Sequence, residues 1–195
     1  MLPADPWWVN LSIVIPAVLF WWGRARGLDL HARQLVWLAV WALAFAMVEA
    51  TVVVYLRAIY SQMLGHPATP AAVAELSAQL APAPLWPLPD ELLRLEAGRE
   101  LATMIMLVGI AAVSARTWAG RAIAFLFAFA IWDAAYYFWL WVIIRWPGSL
   151  ATIDVLFLIP RPWTSPVWFP VVVSSLTVLA VLAGRRVVSP SLRGS

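Results

Sequence analysis

The chain contains no cysteine and no lysine, and its two histidines, His31 and His66, fall in predicted loops. The absence of cysteine excludes disulfides, thiolate nucleophiles and cysteine-bound iron–sulfur clusters, and the absence of lysine excludes a retinal or pyridoxal Schiff base. Two loop histidines do not suit an internal bis-histidine haem or a histidine-rich di-iron site. The sequence therefore predicts no resident cofactor.

Charged residues are also scarce. They make up 12% of the 195 residues, whereas 64% are hydrophobic and the mean hydropathy is +0.85. Since a soluble domain carries about 25% charged residues, this composition indicates an integral membrane protein. All 13 basic residues are arginines, and they are scattered along the chain. No run of them resembles a nucleic-acid-binding surface, so we expect no nucleic-acid partner.

Long apolar segments are what the chain has in abundance. A helix needs roughly 20 residues to cross about 30 Å of hydrocarbon, and five segments approach or exceed that length. The predicted fold is therefore all-α: a single polytopic membrane bundle over residues 1–195. Its five transmembrane helices are expected at about 7–23, 35–56, 97–115, 121–144 and 166–184.

The arginines predict how the bundle is oriented. Three groups of them would lie on one side of five spans, and the positive-inside rule makes that side cytoplasmic. Asp5 precedes the first span and arginines follow it, which is the reverse of a secretory signal. We therefore expect an inner-membrane protein with its N-terminus outside and its C-terminus in the cytoplasm. The three groups are Arg24, Arg26 and Arg33; Arg116 and Arg121; and Arg185, Arg186 and Arg193.

The predicted outer loop, 57–96, carries two local signals. Residues 71–81 are rich in alanine and predict a short surface helix. Residues 82–89 hold four prolines, which fix φ and remove hydrogen-bond donors, so this stretch is expected to be extended. Asp90 then fits an N-cap position, from which a helix would run unbroken into the third span.

The second outer connection, 145–165, predicts a lid. Pro147-Gly148 suits a turn, after which Ser149 would cap a helix over 150–159. Such a helix is too short to span the bilayer, and it is followed by three prolines. We expect an interfacial or re-entrant helix that covers the outer mouth of the bundle as functional lids do, the alternative being a helix that only packs there. The three prolines are Pro160, Pro162 and Pro166.

Carboxylates within the spans mark the candidate site, because an ionisable group is costly in hydrocarbon and is a functional hypothesis by default. Glu49 shares a face of the second span with alanines, which let helices approach and turn Glu49 inward. Glu96, Arg99 and Glu100 follow helical spacing on the third span, so they lie on one face. Asp133 lies near the middle of the fourth span.

These acids predict a polar cavity that opens outward. Asp133 would form its floor and Glu49 and Glu100 its walls, and these three are the catalytic candidates as general acid or base groups. Arginines at the rim would clamp an anionic head group, because guanidinium binds phosphate or carboxylate through two hydrogen bonds. The substrate-binding candidates are Arg57, Arg99, Arg145, Arg161, Tyr55, Tyr137 and Asp154.

Three classes of function fit this pattern. In the first, a small enzyme or carrier binds a lipid-like or anionic substrate in the cavity, and the sequence leaves open whether it catalyses a reaction. The same carboxylates could hold Mg²⁺ or Ca²⁺, which prefer oxygen ligands, but no Asp-rich motif supports a metal site. In the second, the chain is a non-catalytic accessory or assembly subunit of a larger membrane complex. Its carboxylates would then form interhelical salt bridges, for example between Arg99 and Glu49 or Asp133.

The third class is a proton- or ion-coupled transporter. Five spans are few and no internal repeat is visible, so such a transporter would work only as an oligomer. The expected partners are thus the lipid bilayer and either another membrane protein or further copies of this chain.

Overall fold

The computed structural model describes residues 2–27, 30–80 and 90–184, and in this part of the chain the protein is a helical bundle with one β-hairpin. A 3-10 helix, Trp7–Val14, continues directly into the first α-helix. The hairpin strands are β1 (Ile153–Phe157) and β2 (Trp163–Pro166). The α-helices are α1 (Ile15–Arg26), α2 (Ala32–Met63), α3 (Pro70–Leu80), α4 (Asp90–Ser114), α5 (Trp118–Ile144) and α6 (Trp168–Gly184).

Within the described ranges, four helical segments are long and apolar enough to cross a membrane: the 3-10 helix together with α1, and then α2, α4 and α5. They confirm the prediction of a membrane-embedded helical bundle. The predicted fifth span corresponds to α6, an apolar helix described over 17 residues. At 1.5 Å per residue it is about 25 Å long, slightly less than the hydrocarbon thickness, so five crossings stay a prediction.

The second helix is longer than the sequence indicated. The predicted span ended at residue 56, but α2 continues to Met63, two residues before Gly65, whose φ is +80°. Nothing in the intervening sequence breaks a helix, whereas a positive φ favours glycine and is common just past a helix end. The predicted loop start at residue 57 was therefore wrong, and Arg57 is a helical residue.

Two other predictions for this connection are confirmed. α3 forms where a short helix was expected, although it is not a bare surface helix: it buries Val73 and Leu76 and packs on α2 and α5. α4 begins at Asp90 and runs unbroken into the third span. The proline-rich stretch 82–89 lies outside the described residues, as do the side chain of Asp90, Asp29 and the tail arginines Arg185, Arg186 and Arg193.

The prediction of a lid helix over 150–159 was wrong, because this segment contributes a strand to an antiparallel hairpin. Ile153, Val155 and Phe157 repeat at a period of two, which suits a strand, and β-branched and aromatic residues favour that conformation. The partner strand β2 supplies the hydrogen bonds that a lone apolar segment would lack. A short apolar run is compatible with either helix or strand, so the partner decides the outcome.

Local contacts hold the hairpin in place at both ends. The backbone of Asp5 exchanges two hydrogen bonds with Thr164 on β2, at 2.9 and 2.7 Å, which fastens the N-terminus to the hairpin. Ser149 accepts a hydrogen bond from the Ala151 amide in the turn before β1, so it stabilises a turn rather than a helix. We call this side of the bundle the hairpin end.

The bundle is built around α5, which packs on α2, α4 and α6. α6 in turn lies between α5 and α1 and packs on both. Where α1 meets α6, the backbones of Gly23 and Gly184 approach so closely that a Cβ atom on Gly23 would lie 3.0 Å from the Gly184 carbonyl oxygen. Glycine at this crossing therefore permits the close approach, as small residues do in membrane helix pairs.

Candidate functional site

A cluster of charged side chains joins α2 and α4. Arg99 forms one ion pair with Glu49 across the two helices and another with Glu96 on its own helix. The pair with Glu96 is bidentate: Nε and Nη2 of Arg99 donate to the two carboxylate oxygens at 3.0 and 2.5 Å. Thr103 also donates to Glu49, at 2.9 Å. These four residues and the adjacent Glu100 are called the Arg99 cluster below.

The Arg99 cluster is buried and has an excess of carboxylates over guanidinium groups. Glu49 and Glu100 are 5% and 8% exposed. Because Arg99 already binds two carboxylates, an anionic ligand would have to displace one of them to reach it. Despite the carboxylates, no group of three or more His, Asp or Glu side chains in the described part of the chain is close enough together to hold a metal ion.

Glu100 connects the hairpin to α4. Its carboxylate accepts a hydrogen bond from the amide of Leu158, the residue directly after β1, at 2.8 Å. A hydrogen bond to an ionised acceptor is roughly twice as strong as a neutral one. In this geometry the catalytic candidate Glu100 therefore acts as an anchor for the hairpin.

A second polar cluster lies beneath the hairpin and joins it to α2 and α5. Asp154 on β1 accepts a hydrogen bond from the Tyr137 hydroxyl at 3.0 Å. The guanidinium of Arg57 lies 4.1 Å from the centre of the Trp146 ring, a cation–π contact, and also interacts electrostatically with Asp154. Burial raises the pKa of Asp154, and the favourable interactions with Arg57 and Tyr137 oppose that rise.

Asp133 lies where α5 meets α6, and it interacts electrostatically with Asp154 of the second cluster. Ser174 on α6 donates a hydrogen bond to its carboxylate at 2.7 Å. Beside this pair is a groove of about 490 Å³, which is within the range of about 300–1,000 Å³ usual for small-molecule sites. We call it the Asp133 groove.

The Asp133 groove is lined on one side by the 3-10 helix and the first residue of α1, Ile15, and on the others by α5 and α6. The hairpin closes one end of the groove with Leu156, Phe157 and Trp163. The rest of the lining comes from the 3-10 helix, α1, α5 and α6, and Asp133 is the one charged residue among the described side chains that line it. Leu11 belongs to the lining and is 58% exposed, so the groove opens on the apolar outer surface of the bundle.

The carboxylates that were predicted to line one cavity have different hydrogen-bond and ion-pair partners in the structure. Glu49 and Glu100 lie in the Arg99 cluster between α2 and α4, whereas Asp133 contacts α6. A cavity floored by Asp133 and walled by those two glutamates stays a prediction. The predicted substrate-binding residues Arg57, Tyr137 and Asp154 come together, and Arg99 pairs with Glu49. Tyr136 interacts electrostatically with members of both groups, so the two groups are neighbours.

Three of the predicted substrate-binding residues lie elsewhere. Tyr55 is 64% exposed on the outer surface of α2. Arg145 directly follows α5, and its guanidinium lies over the ring of Trp141 at 4.4 Å. Arg161, in the connection between the strands, pairs with Asp5 at 3.6 Å. None of the three belongs to the Arg99 cluster or lines the Asp133 groove.

Sequence reasoning missed the Asp133 groove. Its lining is made mostly of apolar residues from the 3-10 helix, α1, α5, the hairpin and α6, and no spacing motif links them. The available signal was the Ser174-Ser175 pair, a polar interruption of α6 in a run of valine and leucine. A hydroxyl in an apolar span suggests a polar partner on a neighbouring helix, and that partner is Asp133.

The chain matches no protein family, no curated protein and no solved structure. Its function is therefore argued from the chemistry of the site itself.

Proposed function

We propose that this protein binds a lipid-like ligand in the Asp133 groove and acts on that ligand as a membrane carrier or a small membrane enzyme. The observation that carries the proposal is the groove itself, an apolar cleft with the Asp133–Ser174 pair as its polar contact. Ligand sites in proteins are typically apolar clefts with a few well-placed polar groups.

Exchange with the bilayer fits this geometry. The groove opens on the apolar surface of the bundle, so an alkyl chain can enter it sideways without crossing water. A chain that leaves lipid for an apolar groove gains little hydrophobic free energy, because both environments are equally dry. Selectivity must therefore come from close packing and from the polar pair.

The charges favour a ligand other than an anion. Asp133 would repel an anionic head group, and Arg99 is already paired with Glu49 and Glu96. We therefore narrow the lipid-like or anionic substrate expected from the sequence to a lipid-like one. The carboxylates of the Arg99 cluster then have a structural role between helices.

Blocking the groove should abolish ligand retention. Leu126 lines the groove from α5, and a Leu126→Trp substitution would fill part of the space. Native mass spectrometry of the protein extracted from its own membrane into nanodiscs should show an amphiphile-sized adduct on the wild type and none on Leu126→Trp. The matched control is Val142→Trp on the same helix, because Val142 is 41% exposed and lies outside the lining. An adduct retained equally by all three proteins would contradict the proposal.

We also propose an inner-membrane location with the hairpin end outside and the C-terminus in the cytoplasm. The distribution of arginines supports this orientation, since Arg24 and Arg26 end α1 at the side opposite the hairpin, and Arg116 and Arg121 flank the turn before α5. A topology reporter fused after Ser195 should score as cytoplasmic. The same reporter inserted in the connection between β1 and β2 should score as external, and the reverse pattern would overturn this orientation.

A second candidate function is that of a non-catalytic accessory subunit. The ion pair of Arg99 with Glu49 favours it, because these charges bridge two helices without leaving a free group for chemistry. The mass spectra described above distinguish the two functions. A stoichiometric protein partner on the wild type and on both tryptophan variants, with no small adduct, would support the accessory subunit.

A further inference from the structure

We infer that the ligand of the Asp133 groove is a single-chain amphiphile whose polar group is a protonated amine, and that its ammonium group binds the Asp133 carboxylate. This inference rests on the proposed function, because it names the class of ligand that the same groove would take.

The first support is the charge of the groove. Among the described residues no ion pair joins an arginine to Asp133. Arg99 is held in the Arg99 cluster, Arg57 lies over Trp146, and Arg161, which lies over the groove residue Trp8, pairs with Asp5. Asp154 on the hairpin interacts electrostatically with Asp133, but it is also an acid and therefore cannot serve as a counter-ion. Ser174 satisfies one oxygen of the carboxylate without supplying charge. An ionised carboxylate in an apolar groove is costly, and the cost is avoided either by taking up a proton or by binding a cation. An ammonium group would supply both at once, because it carries the charge and donates hydrogen bonds.

The second support is the aromatic character of the lining. Cations are attracted to the faces of aromatic rings, and this attraction grows when water is excluded. An ammonium group on Asp133 would therefore have aromatic neighbours as well as a counter-ion. The aromatic residues that line the groove are Trp8, Phe125, Phe129, Phe157, Trp163 and Phe169.

The third support is size. A volume of about 490 Å³ suits one alkyl chain or a compact amphiphile, and a two-chain phospholipid would have to leave much of itself outside. A neutral hydroxyl at the same place could donate a hydrogen bond to Asp133, but it would leave the charge of the carboxylate uncompensated. The amine satisfies both the hydrogen bond and the charge.

Photo-crosslinking with matched probes tests the inference. The protein is reconstituted in phosphatidylcholine nanodiscs with hexadecyl probes that carry a diazirine and differ only in the head group: amine, alcohol or carboxylate. Labelled residues are identified by peptide mass spectrometry. We expect the amine probe to label residues of the groove about ten- to a hundredfold more efficiently than the carboxylate probe, with the alcohol in between.

Two variants distinguish the effect of the Asp133 charge from the effect of its hydrogen bond with Ser174. Asp133→Asn keeps the hydrogen bond from Ser174 but removes the charge, so amine labelling should fall to the level of the alcohol while alcohol labelling stays unchanged. Ser174→Ala removes the hydroxyl and keeps the charge, so the preference for the amine should persist. The comparison of the three probes on the wild type needs neither variant, and it remains decisive if one of them does not fold.

The alternative results are distinct from one another. Equal labelling of the groove by all three probes would overturn the amine inference while the proposed function stands. A preference for the alcohol would also overturn it, because Asp133 would then be acting as a neutral group. Failure of every probe to label the groove would contradict both the inference and the proposed function.

Discussion

Replacement of Arg99 by methionine should lower the free energy of unfolding by about 3–5 kcal/mol, the usual cost of removing one partner from a buried ion pair. Arg99 neutralises Glu49 across the α2–α4 contact and Glu96 on α4, so its loss leaves two carboxylates in an apolar region with no cation bound to them. The side chain of Arg99 is 25% exposed, which favours the lower part of that range. The measurement is reversible unfolding in mixed detergent micelles or by steric trapping.

Compensating substitutions test whether the loss of stability comes from unpaired carboxylates. Adding Glu49→Gln and Glu96→Gln to Arg99→Met should restore much of the lost stability, because the two carboxylates that Arg99 had paired with are then neutral. Glu100 keeps its hydrogen bond from the Leu158 amide in all of these variants. The control is Arg94→Met, since Arg94 is an exposed residue of the same helix and its replacement should change stability by less than about 0.5 kcal/mol. If the triple variant is less stable than Arg99→Met alone, the three residues do not act as a charge-balanced unit.

Replacement of Gly23 by leucine should separate α1 from α6 and destabilise the fold by about 3 kcal/mol or more. A Cβ atom on Gly23 would lie 3.0–3.2 Å from backbone atoms of Gly184, and backbone cannot move aside as the end of a side chain can. Overpacking typically costs about 1–3 kcal/mol even where side chains can adjust. The same unfolding assay applies, and ligand retention should fall with stability because α1 continues from the 3-10 helix that lines the Asp133 groove.

The matched control for this prediction is Gly109→Leu. A Cβ atom on Gly109 meets nothing within 4 Å, and Gly109 lies inside α4 on its exposed side. Leucine has a higher helix propensity than glycine, so this change should be neutral or stabilising by up to about 1 kcal/mol. Equal destabilisation by the two substitutions would show that the α1–α6 crossing does not depend on close backbone contact.

Hydropathy and charge were sufficient to predict the class of fold. Four apolar stretches long enough to span a membrane are local properties of the chain, and the unbroken helix from Asp90 followed from local signals as well. The inward orientation of Glu49 could be read from the alanines on its face, because helical periodicity is also local. The sequence left open whether Arg99 would pair with Glu49 or with Asp133, and in the structure it pairs with Glu49.

The hairpin and the groove could not be predicted because they depend on which elements become neighbours. β1 is stabilised by hydrogen bonds to β2 and by the hydrogen bond from the Leu158 amide to Glu100, which lies 58 residues away in the chain. The periodicity of one short apolar run reveals neither partner. The position of Asp133 depends on the rotation of α5 relative to α6. Because several spans are apolar on all sides, the sequence does not say which face of α5 meets which neighbour.

The central claim is that the Asp133 groove, lined by the 3-10 helix, α5, α6 and the hairpin, holds a lipid-like ligand. The most direct test is a density map of the protein purified with its native lipids in a nanodisc. We predict elongated density along α6, with one end within hydrogen-bond distance of Asp133. A groove filled by the protein's own side chains, or by a segment of another polypeptide, would contradict the claim.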